Sequence, residues 1–356
     1  MVLDAPGVLR RTQVDRDLGV RGWLAVEATG ICGSDVAWYD GSVEVTSPTI
    51  LGHEIVGTVL DPPDLGVSEA MTLAPVEAGD RVMLEEHLPC LRCTQCLQGR
   101  HRVCSRLRRY GAIALDTSPG LWGGYATHMH LAPNTLFHRV PAELSSADAT
   151  LAIPVSNGID WVTRGGALSP GESVVVQGPG QHGLACVAAA RRCGAGRVVL
   201  TGTSADRDRL DAGHALGADE VVIVDQVTDV TEAVLDALGT WADIVVDAVP
   251  MNPEPISIGI RVLAPGGRLV VAGAKRGRPA AVDTDIIFKR ELSIVGVAAR
   301  ASRAQALALQ WLAEDPTLIT AFAPERLPLD QVELGLRLAA GAHAPDHYPV
   351  HVVVTP

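Results

Sequence analysis

The sequence predicts an α/β protein in which a doubly wound parallel sheet accompanies a mainly β region. After about residue 170, short β-branched runs recur without polar alternation, as is typical of fully buried parallel strands. Ala-rich helical segments separate the early runs, which gives repeated βαβ units. Before about residue 150, Gly and Pro interrupt short β-rich runs, which indicates irregular and mainly antiparallel β structure.

The individual elements follow from these patterns in chain order. Residues 22–27 and 54–60 are predicted strands of the β region. The predicted parallel strands are 173–177, 197–201, 221–224, 243–247, 268–272 and 292–297, and the helices between the early ones lie near 183–193, 205–216 and 228–238. A helical stretch from about residue 300 and a strand-like run over 348–354 complete the chain.

Length and composition limit the classes of function. At 356 residues the chain exceeds one ordinary core, so two domains are expected. With 47% hydrophobic and 20% charged residues the composition is globular, and no apolar run is long enough to cross a bilayer. We expect no membrane partner, and because no basic segment precedes an apolar one at the N-terminus, we expect a cytoplasmic protein. A net charge of −12 disfavours binding to nucleic acid.

Four of the seven cysteines fall within fifteen residues and follow the spacing C-x2-C-x2-C-x7-C: Cys90, Cys93, Cys96 and Cys104. Four thiolates complete a tetrahedral zinc shell with no open position, so the pattern predicts a structural zinc ion. Four unrelated free thiols are one alternative. An iron–sulfur cluster is another, disfavoured because no Pro follows the fourth Cys.

A basic stretch lies beside the cluster and comprises Arg100, Arg102, Arg106, Arg108 and Arg109. We interpret it as a solvated loop next to the thiolates. The competing hypothesis is a zinc ribbon that binds nucleic acid, which the acidic net charge and the lack of stacking aromatic residues oppose.

A second candidate metal site combines Cys32, in Ile-Cys-Gly-Ser-Asp, with His53 and Glu54, in Gly-His-Glu. A thiolate, an imidazole and a carboxylate leave an exchangeable position on zinc, as catalytic zinc requires. Packing roles for a lone Cys and a lone His are the alternative.

A glycine pattern joins the predicted strand 173–177 to an Ala-rich helix. Gly178, Gly180 and Gly183, with Gln181 and His182 between the last two, form GxGxxG. Such glycines allow a tight turn and let backbone approach a pyrophosphate at the helix N-terminus. At a strand-to-helix junction the pattern predicts dinucleotide binding.

The second parallel strand lacks the acid at its end that would bind the ribose of NAD, because Gly202 stands there. Thr203, Ser204 and Arg207 follow and offer donors to a 2′-phosphate, which slightly favours NADP. An NAD enzyme that contacts the ribose through Asp206 is the alternative.

Taken together, these motifs make the chain resemble the zinc-containing medium-chain dehydrogenase/reductase family, closest to its sorbitol and threonine dehydrogenase-like members. The motifs are Ile31-Cys-Gly-Ser-Asp, Gly52-His-Glu, Gly79-Asp-Arg-Val, the four-Cys lobe, Gly123-Gly-Tyr-Ala and Gly178-Pro-Gly-Gln-His-Gly.

The resemblance implies a GroES-like catalytic domain over 1–155, a Rossmann domain over 156–299 and a return to the catalytic domain over 300–356. It implies two zinc ions, NAD(P), a secondary alcohol or polyol and its ketone as substrates, and a dimer or tetramer. Cys32 and His53 would then hold catalytic zinc, with Glu54 as a third ligand or a close exchangeable partner. Ser34 would pass the substrate proton, and Asp35 would be structural. The residues expected to flank the nicotinamide are Ala272, Gly273, Ala274, Val297, Ala298 and Ala299.

Two departures from the family pattern affect the catalytic site. Ile153 stands where many relatives carry a zinc-binding acid or Cys, and Ala37 replaces a His of the usual proton relay. The first departure also supports a non-catalytic family member as an alternative function. Trp38, Tyr39 and Trp122 are candidates for a substrate pocket, with core packing as the alternative.

Overall fold

The computed structural model describes residues 1–63, 76–341 and 349–356, which form two compact units. Unit 1 comprises Met1–Ala152, Leu309–Glu314 and Ala323–Pro356, and unit 2 comprises Ile153–Ala308 and Asp315–Phe322. No helix in the described ranges is long and apolar enough to cross a membrane. Tyr348, the start of the last predicted strand, lies outside the described residues.

The strands of the described ranges are, in chain order, Val2–Ala5 (β1), Val8–Arg10 (β2), Trp23–Gly30 (β3), Glu54–Asp61 (β4), Arg81–Leu84 (β5), His87–Leu88 (β6), Arg108–Arg109 (β7), His128–His130 (β8), Phe137–Arg139 (β9), Ser173–Gln177 (β10), Arg197–Gly202 (β11), Glu220–Ile223 (β12), Ala242–Asp247 (β13), Leu263–Val271 (β14), Ser293–Gly296 (β15), Glu325–Pro328 (β16) and Val352–Thr355 (β17).

The α-helices of the same ranges are Gly33–Tyr39 (α1), Thr94–Leu97 (α2), Ser146–Ala149 (α3), Ala152–Asp160 (α4), Gln181–Arg192 (α5), Arg207–Ala215 (α6), Val230–Leu238 (α7), Glu254–Val262 (α8), Thr284–Lys289 (α9), Ser302–Glu314 (α10), Pro316–Phe322 (α11) and Val332–Ala339 (α12). A π-helical turn, Trp161–Gly165, continues α4.

Unit 2 is built on a six-stranded sheet with the order β12-β11-β10-β13-β14-β15, and all its strand pairs are parallel. This is the order 3-2-1-4-5-6 of a Rossmann sheet, so the predicted doubly wound sheet is confirmed. Every residue of β10 is buried because helices cover both faces, which explains the run of valines. The order reverses between β10 and β13, where such sheets bind ligands at the carboxyl ends of their strands.

Unit 1 contains a seven-stranded sheet with the order β16-β17-β3-β4-β5-β9, and β8 also pairs with β3. All of its strand pairs are antiparallel except β16 with β17, which confirms the predicted mainly β region. Trp23 and Leu24 are consecutive in β3 but belong to different apolar clusters, because successive side chains of a strand point to opposite faces. The sheet is therefore covered on both faces.

Two glycines of the turn after β10 differ in the space that they leave for a side chain. A Cβ atom on Gly183 would lie 1.8 Å from the carbonyl oxygen of Gly178, so α5 packs directly against the turn. A Cβ atom on Gly180 would meet nothing within 4 Å, and the φ of Gly180 is −68°. The turn thus demands glycine at position 183 for packing, whereas position 180 has space for a side chain.

We therefore predict that Gly183→Ala lowers the free energy of unfolding by about 2–4 kcal/mol, since the backbone of the turn must shift to admit the methyl group. Gly180→Ala is the matched control, with an expected change within about 0.5 kcal/mol. Urea unfolding followed by circular dichroism measures both. Equal stability of the two variants would contradict the packing role of Gly183.

Candidate active site and metal centres

The four predicted cysteines of the lobe come together in unit 1. Their sulfur atoms lie within 4.8 Å of one another, and all four are free thiols. Cys93 is the N-cap of α2, Cys96 lies within α2, and Cys104 follows a 3₁₀ turn. The backbone N–H groups of Cys90 and Arg106 each donate to the Cys104 sulfur at 3.3 Å. This local folding converges four thiol donors on one point.

The thiol pKa values of the lobe shift in opposite directions: burial raises the pKa of Cys96 to about 12, whereas backbone donors lower the pKa of Cys90. Hydrogen bonds from the backbone N–H groups of Cys96 and Ser105 lower the pKa of Cys93 to about 5. Four sulfurs fill all four positions of a tetrahedral zinc ion, so this donor set fits a closed zinc site.

The second predicted group also converges within unit 1. Cys32, His53 and Glu54 each offer one ligand atom, and these atoms lie within 4.8 Å of one another. Cys32 is the N-cap of α1, whereas His53 directly precedes β4 and Glu54 is its first residue. Two separate chain segments therefore build one thiol, imidazole and carboxylate group.

Asp35 joins those two segments. Its side chain is fully buried; Oδ2 accepts the Cys32 N–H at 3.0 Å, and Oδ1 accepts the Gly52 N–H at 3.1 Å. Oδ1 also lies 3.2 Å from Nδ1 of His53. Burial raises the pKa of Asp35, but His53 and the two backbone donors outweigh burial and hold that pKa below its ordinary value. Asp35 therefore acts as a buried anionic anchor.

Two glycines give the site its space. Gly52 has a φ of +86°, and a Cβ atom there would lie 2.7 Å from the ring of Tyr125. A Cβ atom on Gly30 would lie 2.3 Å from Oε2 of Glu54 and 2.9 Å from Cε1 of His351. His351, which the sequence did not single out, thus stands close to Glu54.

The charges of the group fit a divalent cation. Burial, followed by the carboxylates of Glu54 and Asp35, raises the pKa of Cys32 to about 12. The same surroundings raise the pKa of the buried Tyr125 well above its ordinary value. A buried thiol beside two carboxylates is ionised when a metal ion supplies compensating positive charge. The donor set and its electrostatics both fit zinc with an exchangeable position.

Ser34 and Arg109 complete the immediate surroundings. Oγ of Ser34 lies 3.3 Å from Nε2 of His53. Nη2 of Arg109 donates to that same Nε2 at 2.8 Å and to Oγ of Ser34 at 3.2 Å. The guanidinium stacks on Trp38, with 5.0 Å between its carbon and the ring centroid. The interpretation of Arg109 as part of a solvated loop was wrong, because its strand directs it into the site.

The aromatic candidates have different positions. Trp38 is buried and meets His53 edge to face, with ring centroids 5.5 Å apart. Tyr39 instead donates its hydroxyl to Glu333, and Trp122 lies in a core cluster with its Nε1 bonded to the carbonyl of Thr117. Of the three rings, Trp38 therefore contacts the candidate site, and the other two have packing roles.

The predicted dinucleotide residues lie in unit 2. The turn from Gly178 leads into α5 with Gly180 as N-cap, so Gln181, His182 and Gly183 form its first turn. His182 packs against Trp161 and lies 3.0 Å from the side-chain nitrogen of Asn157. Gly202 ends β11, as predicted.

The hydroxyls after β11 already have acceptors. Thr203 donates to Asp206 at 2.7 Å, and Ser204 donates to Asp225 at 2.5 Å. Arg207 is exposed at the start of α6. The predicted role of the two hydroxyls as phosphate donors is therefore weakened, whereas Arg207 keeps its side chain at the surface.

The predicted nicotinamide-flanking segments follow β14 and β15. Gly273 is required because a Cβ atom there would lie 2.2 Å from the carbonyl oxygen of Val249, and Ala272 and Ala274 flank it. In the second segment, which comprises Val297, Ala298 and Ala299, the carbonyl of Ala299 accepts Nε1 of Trp161 at 3.0 Å. Both segments thus have fixed backbone at the carboxyl edge of the sheet.

An ion pair that the sequence did not predict lies at this edge. Nζ of Lys275 lies 2.6 Å from Oδ2 of Asp247, a buried residue that ends β13. Burial raises the pKa of Asp247, although Lys275 opposes that effect.

Comparisons with known proteins agree with this geometry. Residues 23–142 match the alcohol dehydrogenase GroES-like domain, and residues 183–314 match the zinc-binding dehydrogenase family. A probable alcohol dehydrogenase of Mycobacterium tuberculosis is 38% identical over 315 residues, which cover 85% of this chain and 84% of that protein. This chain belongs to the zinc-containing medium-chain dehydrogenase/reductase family.

Other relatives have related names. A probable D-xylulose reductase of Aspergillus clavatus is 34% identical over 259 residues, which cover 70% of this chain and 67% of that protein. An NADP-bound putative zinc-binding dehydrogenase of Sinorhizobium meliloti shares the fold with a TM-score of 0.84 at 24% identity, covering 100% of this chain and 98% of that one. This member of the medium-chain family is a zinc-type alcohol or polyol oxidoreductase.

We predict that Asp35→Asn lowers the free energy of unfolding by about 2–4 kcal/mol, because an amide cannot accept from Cys32, Gly52 and His53 together. Asp40→Asn, an exposed change just beyond α1, should stay within about 0.5 kcal/mol. Urea unfolding compares the variants. An Asp35→Asn protein as stable as the control would argue against the anchor.

Proposed function

We propose that this chain oxidises secondary alcohols or polyols, and reduces the corresponding ketones, at a site formed by Cys32, His53, Glu54 and Ser34. The observation that carries the proposal is the convergence of three different metal-ligand types with a hydroxyl 3.3 Å from the imidazole Nε2. Residues 1–155 with 300–356 would form the catalytic domain, and residues 156–299 the dinucleotide-binding domain.

Bound zinc would supply a Lewis acid that lowers the pKa of the substrate hydroxyl, and bound nicotinamide would supply the hydride acceptor. Cys32, His53 and Glu54 would hold the metal. Because Ile153 has no donor atom, Glu54 carries the carboxylate role in this set. Oγ of Ser34 is the hydroxyl through which the substrate proton would leave, and Ala37 cannot relay it further.

A second zinc would be structural and held by Cys90, Cys93, Cys96 and Cys104. Its closed set of four sulfurs leaves no position for substrate. We therefore propose two zinc ions per chain with separate roles.

We retain a slight preference for NADP over NAD. Gly202 places no carboxylate at the end of β11, and exposed Arg207 offers a cation to a 2′-phosphate. The carboxylates of Asp206 and Asp225 oppose the preference, because each accepts from a residue that follows β11 and would repel a phosphate. Assays with each cofactor separately decide between them.

A homo-oligomer is supported by the edge of the unit 2 sheet. β15 is the last strand in the order, and Ile294 within it is 46% exposed. Phe288 of the preceding α9 is 81% exposed. An exposed apolar edge strand is a surface that pairs with a second copy. We propose a dimer through β15. The cytoplasmic location is still a prediction.

The nucleic-acid alternative loses support from the same contacts. Arg109 stacks on Trp38 inside the candidate site and so does not contribute to a basic surface, whereas Arg108 stacks on Trp122 at 5.0 Å and remains exposed. The non-catalytic alternative is left to the activity test.

A screen of secondary alcohols and polyols with NAD and NADP separately tests the proposed activity, and Cys32→Ser tests its site. We expect Cys32→Ser to lose turnover by at least about 1,000-fold, because a hydroxyl is a poor zinc ligand, while about one zinc per chain remains in the lobe. Cys193→Ser, a change in unit 2, should keep two zinc ions and full activity. Full activity of Cys32→Ser would refute the catalytic site.

Ile294→Lys tests the dimer. A charge on the edge strand should prevent strand pairing between copies and yield monomers, because two lysines would meet across the interface. Sedimentation velocity measures the mass, with Val282→Lys, at another 39% exposed apolar position, as control. A dimeric Ile294→Lys protein would exclude β15 as the interface.

A further inference from the structure

Arg109 follows the cysteine lobe in the chain, and its side chain reaches the candidate active site. It pairs with His87 in the two-stranded ladder of β7 with β6, and Arg108 pairs with Leu88. Because successive strand residues point to opposite faces, Arg108 reaches Trp122 while Arg109 reaches Trp38, His53 and Ser34. The ladder therefore places one fixed cation within hydrogen-bond distance of the candidate catalytic hydroxyl.

The guanidinium has more donors than the protein satisfies. Of its five N–H groups, the two on Nη2 face His53 and Ser34. Nε is buried without an acceptor, and Nη1 has no hydrogen bond to any described residue. Across residues 1–63, 76–341 and 349–356, Arg109 makes no ion pair with an Asp or Glu carboxylate. A buried donor without an acceptor is costly, so Nε of Arg109 favours a ligand that brings oxygen acceptors.

Metal binding would increase this unused capacity. Arginine only donates, so Nε2 of His53 accepts from Arg109 with its single lone pair, and Nδ1 carries the proton toward Asp35. A metal ion on Nε2 would take that lone pair. Nη2 would then leave this position, and the N–H that now donates to His53 would need another acceptor.

We infer that Arg109 binds an anionic group of the substrate, so that the enzyme acts on alcohols that carry a carboxylate or a phosphate within a few atoms of the hydroxyl. This inference rests on the proposed function, because it assigns the substrate class of the same site. The planar fork of a guanidinium matches both oxyanions in a bidentate manner, which a neutral alcohol cannot reproduce. The stack on Trp38 holds the fork in place.

Matched substrates test the charge requirement. Each of several short 2- and 3-hydroxycarboxylates is compared with its own neutral amide, and each hydroxyalkyl phosphate with the corresponding unphosphorylated diol, using the zinc-loaded enzyme. We expect the wild type to favour the anionic member in kcat/KM by about tenfold or more. The two series separate a carboxylate site from a phosphate site. Equal kcat/KM for the charged and neutral members of every pair would overturn the inference.

Variants then assign the preference to Arg109. Arg109→Met should raise KM for the anionic substrate about 10- to 100-fold more than it raises KM for the neutral partner. Arg109→Lys should recover part of the loss, because it restores charge without the fork. Arg108→Gln, the neighbouring change on the opposite face, should behave as wild type. Unchanged zinc content and melting temperature confirm that Arg109→Met remains folded, and an unaltered anionic KM in this variant would refute the assignment.

A binding measurement separates the inference from the proposed function. Calorimetric titration of the zinc-loaded enzyme with malonate, and separately with inorganic phosphate, should show binding that Arg109→Met weakens at least about tenfold. If no alcohol is oxidised but this Arg109-dependent binding persists, the proposed function fails and the anion site stands. If neutral alcohols are oxidised and neither anion binds, the proposed function stands and the anion site fails.

Discussion

The buried carboxylate of Asp35 holds together two chain segments on which the candidate active site depends. One oxygen accepts the N–H of Cys32 at the start of α1, and the other faces Gly52 and His53 just before β4. An anion with no exposure to water is stable only with such a set of donors, so the geometry is strongly determined. The same bonds fix the imidazole so that its Nε2 lone pair faces away from Asp35. The ligand geometry is therefore a consequence of one hydrogen-bonded anchor.

The electrostatic balance of the site follows from this anchor. Cys32, Asp35 and Glu54 concentrate acidic groups in a buried volume, which favours a divalent cation. Arg109 adds a positive charge on the same side as Ser34, where a substrate hydroxyl would give up its proton. Metal attraction and oxyanion recognition thus arise from adjacent groups of opposite sign.

In unit 2, the order of the parallel strands has the corresponding organising role. The reversal between β10 and β13 puts the glycine turn beside the segment that follows Asp247. Gly178 and Val249 approach so closely that a Cβ atom on Gly178 would lie 2.8 Å from the Val249 side chain. The Asp247 and Lys275 pair then joins the ends of β13 and β14. Backbone donors and small residues consequently line the carboxyl edge of this sheet.

The sequence by itself determined the features that depend on residues close together in the chain. Buried parallel strands need continuous β-branched runs, a closed zinc site needs four closely spaced thiols, and the glycine turn needs glycine where backbone atoms touch; each requirement is therefore visible in a short stretch of residues. It also brought Cys32, His53 and Glu54 together as candidates, because their residue types suit zinc.

Tertiary structure decided which way individual side chains point. Arg108 and Arg109 are indistinguishable in sequence, yet pairing of β7 with β6 sends them to opposite faces. Likewise Tyr39 turns to Glu333, and Ser204 turns to Asp225, a partner 21 residues away. Such directions depend on contacts between segments distant in sequence, and no local pattern of hydrophobicity or spacing encodes them.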